Sequence, residues 1–536
     1  MFTKANLFSF DEMKRRKFLE NISLFTGATT LTGATTIKRT EIKKDLGANK
    51  EKTLVEIRVT APTVVGLNEP FWLGIKLIGE PFYANWVPIW QRKGVTVNAP
   101  FNHSARGIRY MDNVLPSWED DVQILGDDGY EGVSEYSFKN GSGPYHGDQH
   151  PIRRLEGFRF TKPGIKYIRV KDPISGKVGI SNAICVEKEK PTERLFWGNL
   201  HCHSIFGDGI RVPEEIHAFA RDESFLDIFA LTDHTEALSD AQWNYFREVC
   251  NTSNEPGRYV TFNGGEWTSP KYGHRNFIYP GDEGPIIRCT DPNQDTLQKL
   301  YAVARNHKAL LIANHTASKG HTTHWDNGHD PEVERLVEIY SIGGVNEIPK
   351  GPGNTFKSRI KKDEVIGSHA VDGLKKGFRL GFIGTGDDHD GRPGDSIHHL
   401  QEKPESYREI LGPGLMGVWA ENLTRKSIFD ALWNRRVFGT TNNRTWLKFS
   451  INDQPMGSTF KADKKLTIKI EAASNLNIHR IDLIKEGEIV QYTKPNHTQV
   501  SWSPEERQPS NPTWYYVRIT LDEEHLAWSS PVWVES

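Results

Sequence analysis

The stretch Gly198-Asn199-Leu200-His201-Cys202-His203-Ser204 decides how the middle of this chain is interpreted. It follows the apolar run Leu195-Phe196-Trp197, which is typical of a buried β-strand. Side chains two residues apart on a strand point to the same face, so His201 and His203 can bind one metal ion. Cys202 then faces the other side, and we expect it to be buried packing and not a nucleophile. One His-x-His pair alone is weak evidence.

Four further strand-like runs also end on imidazole or carboxylate groups. They are Leu226–Leu231 before Thr232-Asp233-His234, Tyr259–Phe262 before Asn263-Gly264-Gly265-Glu266, Ala309–Ala313 before Asn314-His315, and Gly381–Gly384 before Thr385-Gly386-Asp387-Asp388-His389. In parallel β/α folds the carboxyl ends of the strands meet at one face, where catalytic groups collect. Chance placement of all these groups is improbable, so the pattern predicts a metal site built from several strand ends.

Composition limits the classes of protein that fit. The chain has 536 residues, 37% hydrophobic and 25% charged, which suits about three folded domains. Its formal net charge of −2 gives no attraction for nucleic acid, so no nucleic-acid partner is expected. The four cysteines lack CxxC spacing, which argues against a thiolate zinc site or a disulfide framework. Fourteen of the 20 histidines lie between His201 and His399, so we expect the chemistry in the middle.

The N-terminal residues indicate targeting and not a folded module. Residues 1–37 resemble a twin-arginine export signal, because Lys14-Arg15-Arg16-Lys17 precedes a mildly apolar stretch from Ile22 to Ile37. A basic tail is the alternative. The signal predicts a periplasmic or secreted protein, and the apolar stretch is too polar and short for a membrane span. Residues 38–53 are predicted to be a charged linker.

Two β-rich modules are predicted on either side of a central α/β module. Residues 54–190 and 445–536 contain strand-like runs such as Phe71–Leu77 and Trp514–Ile519, which favour β-sandwiches. Residues 191–444 alternate apolar runs with amphipathic ones, which favours parallel β/α organisation. The predicted helices are Pro213–Asp222, Ala241–Val249, Thr296–His307 and Ser427–Val437. The β modules are interpreted as scaffolds, with binding of a sugar or a partner as the alternative.

The order of these motifs resembles the polymerase and histidinol phosphatase (PHP) superfamily of metal-dependent phosphoesterases. Three further motifs are similar to those of its DUF3604 branch, which is related to the carbaryl hydrolase group. They are Gly264-Gly265-Glu266-Trp267-Thr268, Gly273-His274-Arg275-Asn276 and Arg435-Arg436-Val437-Phe438-Gly439-Thr440-Thr441. The resemblance covers roughly residues 194–444. It implies a distorted (β/α)7 TIM-like barrel of the PHP type with two or three divalent metal ions, such as Zn, Mn or Fe.

The same resemblance implies a set of metal ligands. The implied groups are His201, His203, Asp387 and Glu266 for a first ion, Glu266, His315 and His274 for a second, and His234, His389 and Asp208 for a third. Glu266 would bridge two ions. His274 is either a ligand or a supporting residue, and Asp208, which precedes a glycine, is either a ligand or a turn residue.

The expected chemistry follows from charge. A metal-bridging water loses a proton near neutral pH and yields a hydroxide nucleophile, with Glu266 and Asp387 as catalytic carboxylates at the centre. An anionic substrate would also need basic partners. Arg275, Lys319 and Arg392 are candidates because each lies within a few residues of an implied ligand, although each could instead form a structural ion pair.

Two nearby features are predicted to support the centre. Asp233 is expected to orient His234 or the neighbouring loops. The loop from Lys319 to Asp326 carries polar and aromatic groups just after His315, so it is either one wall of the pocket or a solvated loop.

The sequence therefore predicts an exported metal-dependent hydrolase that acts on a small, anionic phosphoric ester. The same centre could instead hydrolyse a carbamate, amide or sulfate ester. A third reading is a non-catalytic glycan-binding protein with a structural metal site, but structural zinc sites are usually closed by four ligands and more candidates are present. No GxSxG or P-loop motif supports serine hydrolysis or nucleotide-triphosphate binding.

Overall fold

The computed structural model describes residues 54–83, 111–114, 118, 120–139, 151–350, 364–397, 412–462 and 465–535. The predicted export signal and linker lie outside these residues. No helix within the described ranges is long and apolar enough to span a bilayer.

The first described module consists of strands that pair mostly in the antiparallel direction. Its strands are β1 (Glu56–Thr60), β2 (Val64–Gly66), β3 (Phe71–Tyr83), β4 (Met111–Val114), β5 (Asp121–Gly126), β6 (Tyr130–Glu131), β7 (Glu135–Ser137), β8 (Ile152–Phe160), β9 (Gly164–Lys166), β10 (Ile168–Lys171), β11 (Val178–Ile180) and β12 (Ile184–Glu187). They form sheets in the orders β1-β3-β8-β6, with β4 on β3, β11-β10-β5-β7 and β2-β12-β9. Alternate residues Leu73, Ile75 and Leu77 are fully buried in the shared core, as the period of a strand requires. The predicted sandwich-like β module is confirmed.

The central part mixes strands with short helices. Its strands are β13 (Arg194–Asn199), β14 (Ile228–Phe229), β15 (Val260–Thr261), β16 (Gly264–Ser269), β17 (Gly273–Ile278), β18 (Leu310–Asn314), β19 (Glu334–Ser341), β20 (Gly344–Val345), β21 (Gly381–Gly384), β22 (Leu415–Ala420) and β23 (Val437–Thr440). Its helices are α1 (Pro213–Ala218), α2 (Asp240–Ser253), α3 (Leu297–His307), α4 (Ala370–Lys375) and α5 (Arg425–Trp433). The mixed α/β class is confirmed, and strands predominate.

The strand directions are only partly those of a β/α barrel. Strands β13, β14 and β15 are parallel, as are β18, β19 and β21. Strand β17, however, runs antiparallel to both β16 and β18, because β16 and β17 form a hairpin. Gly273 in this hairpin has φ +80°, and a Cβ there would meet the Thr322 carbonyl oxygen at 2.5 Å, so no other residue fits. The (β/α)7 barrel stays a prediction.

The predicted helices exist, but two of them end early. The predicted helix Pro213–Asp222 is α-helical only to Ala218 and continues as one π-helical segment, Phe219–Glu223. The predicted helix Ser427–Val437 ends at Trp433, because Arg435 adopts φ +58° and reverses the chain. Val437 therefore begins strand β23 and its prediction as helix is wrong.

The C-terminal strands continue the central sheet. They are β24 (Trp446–Ile451), β25 (Gln454–Pro455), β26 (Thr459–Lys461), β27 (Leu466–Lys485), β28 (Glu488–Thr493), β29 (His497–Trp502), β30 (Glu505–Glu506), β31 (Thr513–Leu521), β32 (Leu526–Ser529) and β33 (Val532–Glu535). Strand β32 pairs with β23, so a single sheet runs from β15 through β13, β22, β23, β32, β31 and β27 to β24. The predicted boundary at residue 444 therefore divides strands of one sheet, and the module boundaries stay predictions.

A buried ion-pair cluster ties this sheet to the loop after β20. Glu347 is fully buried and accepts hydrogen bonds from the Tyr516 hydroxyl (2.6 Å) and the Trp528 indole N–H (2.9 Å). Arg518 Nη1 lies 3.0 Å from Glu347 Oε2, and Arg518 Nη2 lies 3.0 Å from Asp482. Both oxygens of the Glu347 carboxylate are thus satisfied, and the cluster links the central and C-terminal strands.

Replacing Glu347 with Ala should lower the free energy of unfolding by about 3 kcal/mol, because Arg518 stays buried and loses one carboxylate partner. Urea unfolding measures this loss. The matched control is Lys426→Ala, which removes the exposed Lys426–Asp430 pair of helix α5 and should leave the free energy of unfolding nearly unchanged. Equal effects of the two substitutions would contradict the assigned role of the cluster.

Stability should also depend on pH through His217 of helix α1. Burial, together with the charges of Arg221 and Arg425, lowers the pKa of His217 from 6.5 to about 3. Between these two pKa values, His217 binds a proton in the unfolded chain but not in the folded chain. The free energy of unfolding therefore decreases as the pH falls below 6.5. In urea unfolding, His217→Gln should remove about 2 kcal/mol of the loss between about pH 7 and 5. An unchanged pH dependence in His217→Gln would contradict the assignment.

Candidate metal centre

Backbone hydrogen bonds hold the ends of β13, β14 and β21 side by side. The amide of His203 donates to the Asp388 carbonyl (2.8 Å), and the amide of Thr232 donates to the Cys202 carbonyl (3.0 Å). The three segments therefore continue the strand pairing beyond the strands themselves. Strand β16 lies beside the segment that follows β14, because the amide of Glu266 donates to the Asp233 carbonyl (2.9 Å).

Imidazole and carboxylate groups from these segments converge. Four groups have ligand atoms within 4.8 Å of one another, and they are His201/Glu266/His315, His201/His203/Asp387, His203/Asp208/His389 and His203/His234/Glu266. His203 belongs to three of the groups, and His201 and Glu266 to two each. The predicted strand ends therefore meet in one centre, and their groups overlap.

His201 and His203 point to the same side, as their spacing predicts. Their Nε2 atoms are 3.3 Å apart, and both lie near Asp387 Oδ1, at 3.5 Å from His201 and 3.4 Å from His203. Cys202 faces away and is fully buried among apolar side chains, which confirms its predicted packing role. Burial is the main factor that raises the pKa of the Cys202 thiol well above its ordinary value.

Glu266 lies between the groups. Its Oε1 is 3.4 Å from His201 Nε2 and 3.6 Å from His315 Nε2, and its Oε2 is 2.8 Å from His234 Nδ1. Burial alone would raise the pKa of this fully buried carboxyl, but His274, His234 and His201 hold it well below its ordinary value. Glu266 is therefore a carboxylate that faces two groups at once, as a bridging ligand must.

Asp208 is placed among the histidines and not merely in a turn. Its Oδ1 lies 3.0 Å from His389 Nε2 and 3.5 Å from both His234 Nε2 and His203 Nδ1. The structure thus brings together the three residues predicted around a third ion and adds His203 to them. This contact favours the ligand interpretation of Asp208.

Two of the candidate ligands have unusual backbone conformations. His315 has φ +45° and Asp387 has φ +55°, in the left-handed region that side-chain-bearing residues rarely adopt. Such conformations are retained where the surrounding structure imposes them, and they cluster at functional sites. Burial opposes the charge of His315, but Asp387 and Glu338 raise its pKa to about 9.

Glu338 is a supporting residue that the sequence analysis missed. It lies within β19, is fully buried, and its Oε2 is 2.8 Å from His201 Nδ1. Its Oε1 is 3.3 Å from His315 Nδ1, and the Thr385 hydroxyl donates to Oε2 (2.5 Å). Metal-binding imidazoles commonly donate their other N–H to a carboxylate, so Glu338 leaves Nε2 of His201 facing the centre. A glutamate inside the apolar run Leu336-Val337-Glu338-Ile339-Tyr340 was the available signal.

His274 is placed beside the centre. Its Nδ1 lies 3.1 Å from Glu266 Oε1, and its Nε2 lies 3.1 Å from Nδ1 of His321. It belongs to none of the four groups found among the described residues. The supporting interpretation of His274 is therefore favoured. Its contact with His321 also brings the loop after β18 to the edge of the centre.

The three basic residues predicted to contact a substrate differ in burial. Arg275 alternates with His274 on β17, so it points away from the centre and forms a fully buried ion pair with Glu334 (2.9 Å). Arg392 is fully buried, lies 3.2 Å from Asp395 and covers the ring of Phe219. For both residues the geometry favours the structural ion pair, the alternative to a substrate partner. Lys319 is exposed on the loop after β18, and its role as a substrate partner stays a prediction.

Asp233 supports the neighbouring loop, one of its two predicted roles. It accepts hydrogen bonds from the Ser204 amide (2.7 Å) and the Ser204 hydroxyl. His234 is instead held by the Thr268 hydroxyl, 2.6 Å from its Nδ1. Asp233 thus fixes the turn that follows His203.

The arrangement fits divalent metal ions. His203 Nδ1 is buried, lies 3.5 Å from Asp208 Oδ1 and makes no hydrogen bond in the described part of the chain. Buried polar atoms are normally satisfied, so an imidazole nitrogen placed in this way beside a carboxylate fits a bound cation. Imidazole and carboxylate donors together suit zinc, manganese or iron. The donor set therefore fits the predicted class of ion without fixing its identity or number.

A pair of substitutions separates a ligand from a supporting residue. We expect His315→Ala to reduce the number of tightly bound ions per chain, because it removes a member of a group. His274→Ala should retain the number at saturating metal and weaken affinity by about 10- to 100-fold. Elemental analysis of gel-filtered protein gives the count. The reverse result, with His274→Ala losing an ion and His315→Ala retaining all, would contradict the assignment.

Comparisons with known proteins agree with part of the predicted relationship. Residues 381–476 match the family described as "Protein of unknown function (DUF3604)", which confirms the predicted DUF3604 link over that range. An uncharacterized protein of Chlamydia pneumoniae is 28% identical over 404 residues, or 71% of this chain and 64% of the relative. One of Chlamydia trachomatis serovar D is 27% identical over 409 residues, with the same coverage of both chains. The match thus spans 64% of these relatives' length.

One solved structure with some likeness is a two-domain protein from Bacteroides vulgatus that contains a predicted PHP-like metal-dependent phosphoesterase. It is 16% identical, with 63% of this chain and 96% of that chain covered. The TM-score is 0.32, a level at which the likeness carries no argument. A Bacteroides uniformis β-glucuronidase scores lower, with a TM-score of 0.15 at 8% identity. The carbaryl hydrolase relationship stays a prediction.

Proposed function

We propose that this protein is a metal-dependent hydrolase that cleaves a small phosphoric ester. The observation that supports the proposal most is the overlap of four ligand groups through His201, His203 and Glu266. A structural zinc site is usually closed by four ligands and stands alone. Overlapping groups that share a carboxylate are instead typical of centres that hold more than one ion and act on a bound substrate.

The chain's own residues supply the organisation that catalysis needs. Glu338 fixes the ring of His201, and Thr268 fixes the ring of His234, so both imidazoles are oriented in advance. Glu266 and Asp387 keep the centre anionic, because the pKa values of both carboxyls lie well below the ordinary range despite burial, under the influence of the surrounding histidines. Divalent ions bound there would supply Lewis acidity toward the ester and acidify a water.

Lys319 is the remaining predicted basic partner for an anionic substrate. With Arg275 and Arg392 assigned to the framework, the exposed lysine on the loop after His315 is the group to test. The same loop contacts His274 through His321. We propose that this loop forms one wall of the substrate pocket and that the centre lies at one end of a PHP-type barrel. Twin-arginine export to the periplasm remains part of the proposal on sequence grounds.

Turnover on a panel of model esters tests the function. The protein loaded with Zn, Mn or Fe should hydrolyse p-nitrophenyl phosphate or the bis ester, and His203→Ala should lower kcat/KM by at least about 1000-fold, as loss of a shared metal ligand implies. His307→Ala, an exposed histidine on helix α3, is the matched control and should retain full activity. Turnover confined to p-nitrophenyl sulfate or to an aryl carbamate would move the assignment to those bonds. Equal activity of wild type and His203→Ala would overturn the proposal.

A further inference from the structure

Strand β3 of the N-terminal module packs one face against the central part of the chain. Leu73, Ile75 and Leu77 fill the core of the β module, so the intervening residues face outward. The Trp72 ring lies 5.8 Å from the ring of Phe225, and Lys76, with 1% of its surface exposed, lies on the same side. Lys76 is therefore a lysine buried between two modules.

The ammonium of Lys76 is directed at a carboxylate in the segment that follows β21. Lys76 Nζ lies 2.7 Å from Asp395 Oδ2 and 3.4 Å from Glu223 Oε2. Arg58, from the neighbouring strand β1, pairs with Asp395 Oδ1, and Arg392 lies 3.2 Å from Oδ2. Burial alone would raise the pKa of Asp395, but these three cations hold it well below the ordinary range.

The same loop carries two candidate metal ligands, Asp387 and His389. Inside the loop, the Asp390 carboxylate accepts hydrogen bonds from the amides of Arg392 (3.2 Å) and Ile397 (2.8 Å). The loop is therefore internally braced, so a displacement at Asp395 is transmitted toward His389. Asp395 connects this braced segment to the N-terminal module.

A cavity of about 770 Å³ borders the segment that contains Asp395. Its lining includes Arg58, Lys76 and Gly394–Ile397. Asp395 itself is buried, so its ion pairs with Arg58 and Lys76 act together with packing to restrain the segment. Lys76 and Arg58 are thus placed to help fix where this segment lies.

We propose that Lys76 and Arg58 are positioning residues for the metal centre: through Asp395 they fix the loop that presents Asp387 and His389. The N-terminal β module is then part of the site's framework, although it supplies no candidate ligand among its described residues. The inference rests on the proposed function only for its metal readout. Its structural readout is measured without metal.

Lys76→Met tests the inference, because methionine approximates the aliphatic part of the lysine side chain and removes the charge. In metal-free protein, hydrogen exchange of amides in residues 387–397 should accelerate at least about tenfold. In Co²⁺ titrations, the visible absorption bands of the bound ion should change shape and affinity should fall about 10- to 100-fold. Lys76→Arg should restore both readouts to near the wild-type values.

Two controls keep the outcome decisive. Lys448→Met removes another ion pair between modules, with Glu187 of β12, and should leave residues 387–397 and the cobalt spectrum unchanged. Arg58→Met, at a half-exposed side chain, provides a second variant if Lys76→Met does not fold. If both variants exchange like the wild type, the positioning role is overturned whatever the metal content. If exchange accelerates in the variants but wild-type protein binds no Co²⁺, Lys76 and Arg58 do restrain residues 387–397, and the proposed metal centre is wrong.

Discussion

Several ionisable side chains are buried together at one end of the central strands, and this arrangement constrains the rest of the structure. Glu266, Glu338 and His201 are fully buried, and Asp387 is close beside them. Removing such charges from water is costly unless they are paired or bind metal. The interleaved imidazoles partly compensate the carboxylates, and metal ions would complete that compensation. The strand directions, the left-handed backbone of His315 and Asp387, and the buried carboxylate of Glu338 all help to hold these charged groups close together.

Support for the centre comes from elements far apart along the chain. Glu338 on β19 orients His201 and contacts His315, while Asp233 fixes the turn after His203. The Asn199 side chain accepts hydrogen bonds from the amides of His201 (3.0 Å) and Gly386 (2.9 Å), so it clamps the ends of β13 and β21 together. These contacts preorganise the ligands before any ion binds, which limits the ordering cost of metal binding.

The ligand positions could be predicted from sequence because each follows a recognisable apolar run. His201, His234 and His315 lie just after such strand ends, and strand geometry brings these ends together. Glu266 lies instead inside β16, which begins shortly after β15 ends. Arg275 could have been excluded by the same reasoning, because a residue adjacent to His274 on a strand must face the other way. The choice of Arg275 relied on proximity along the chain and ignored this alternation.

Other features depend on contacts between residues distant in sequence. Asp395, the ion-pair partner of Arg392, is also contacted by Lys76. No local sequence pattern links residues 76 and 395. Glu338 was missed because its strand ends without a histidine. The antiparallel direction of β17 follows from a hairpin at Gly273 whose close approach to Thr322 is a tertiary contact. A prediction of uniform β/α units could not include that exception.

Anomalous diffraction from crystals of the metal-loaded protein, recorded at the absorption edge of the bound metal, tests the central claim most directly. We expect at least two peaks, with Glu266 within about 2.0–2.2 Å of both ions and His203 bound to one of them. A single peak closed by four protein ligands, or peaks remote from Glu266 and His203, would contradict it.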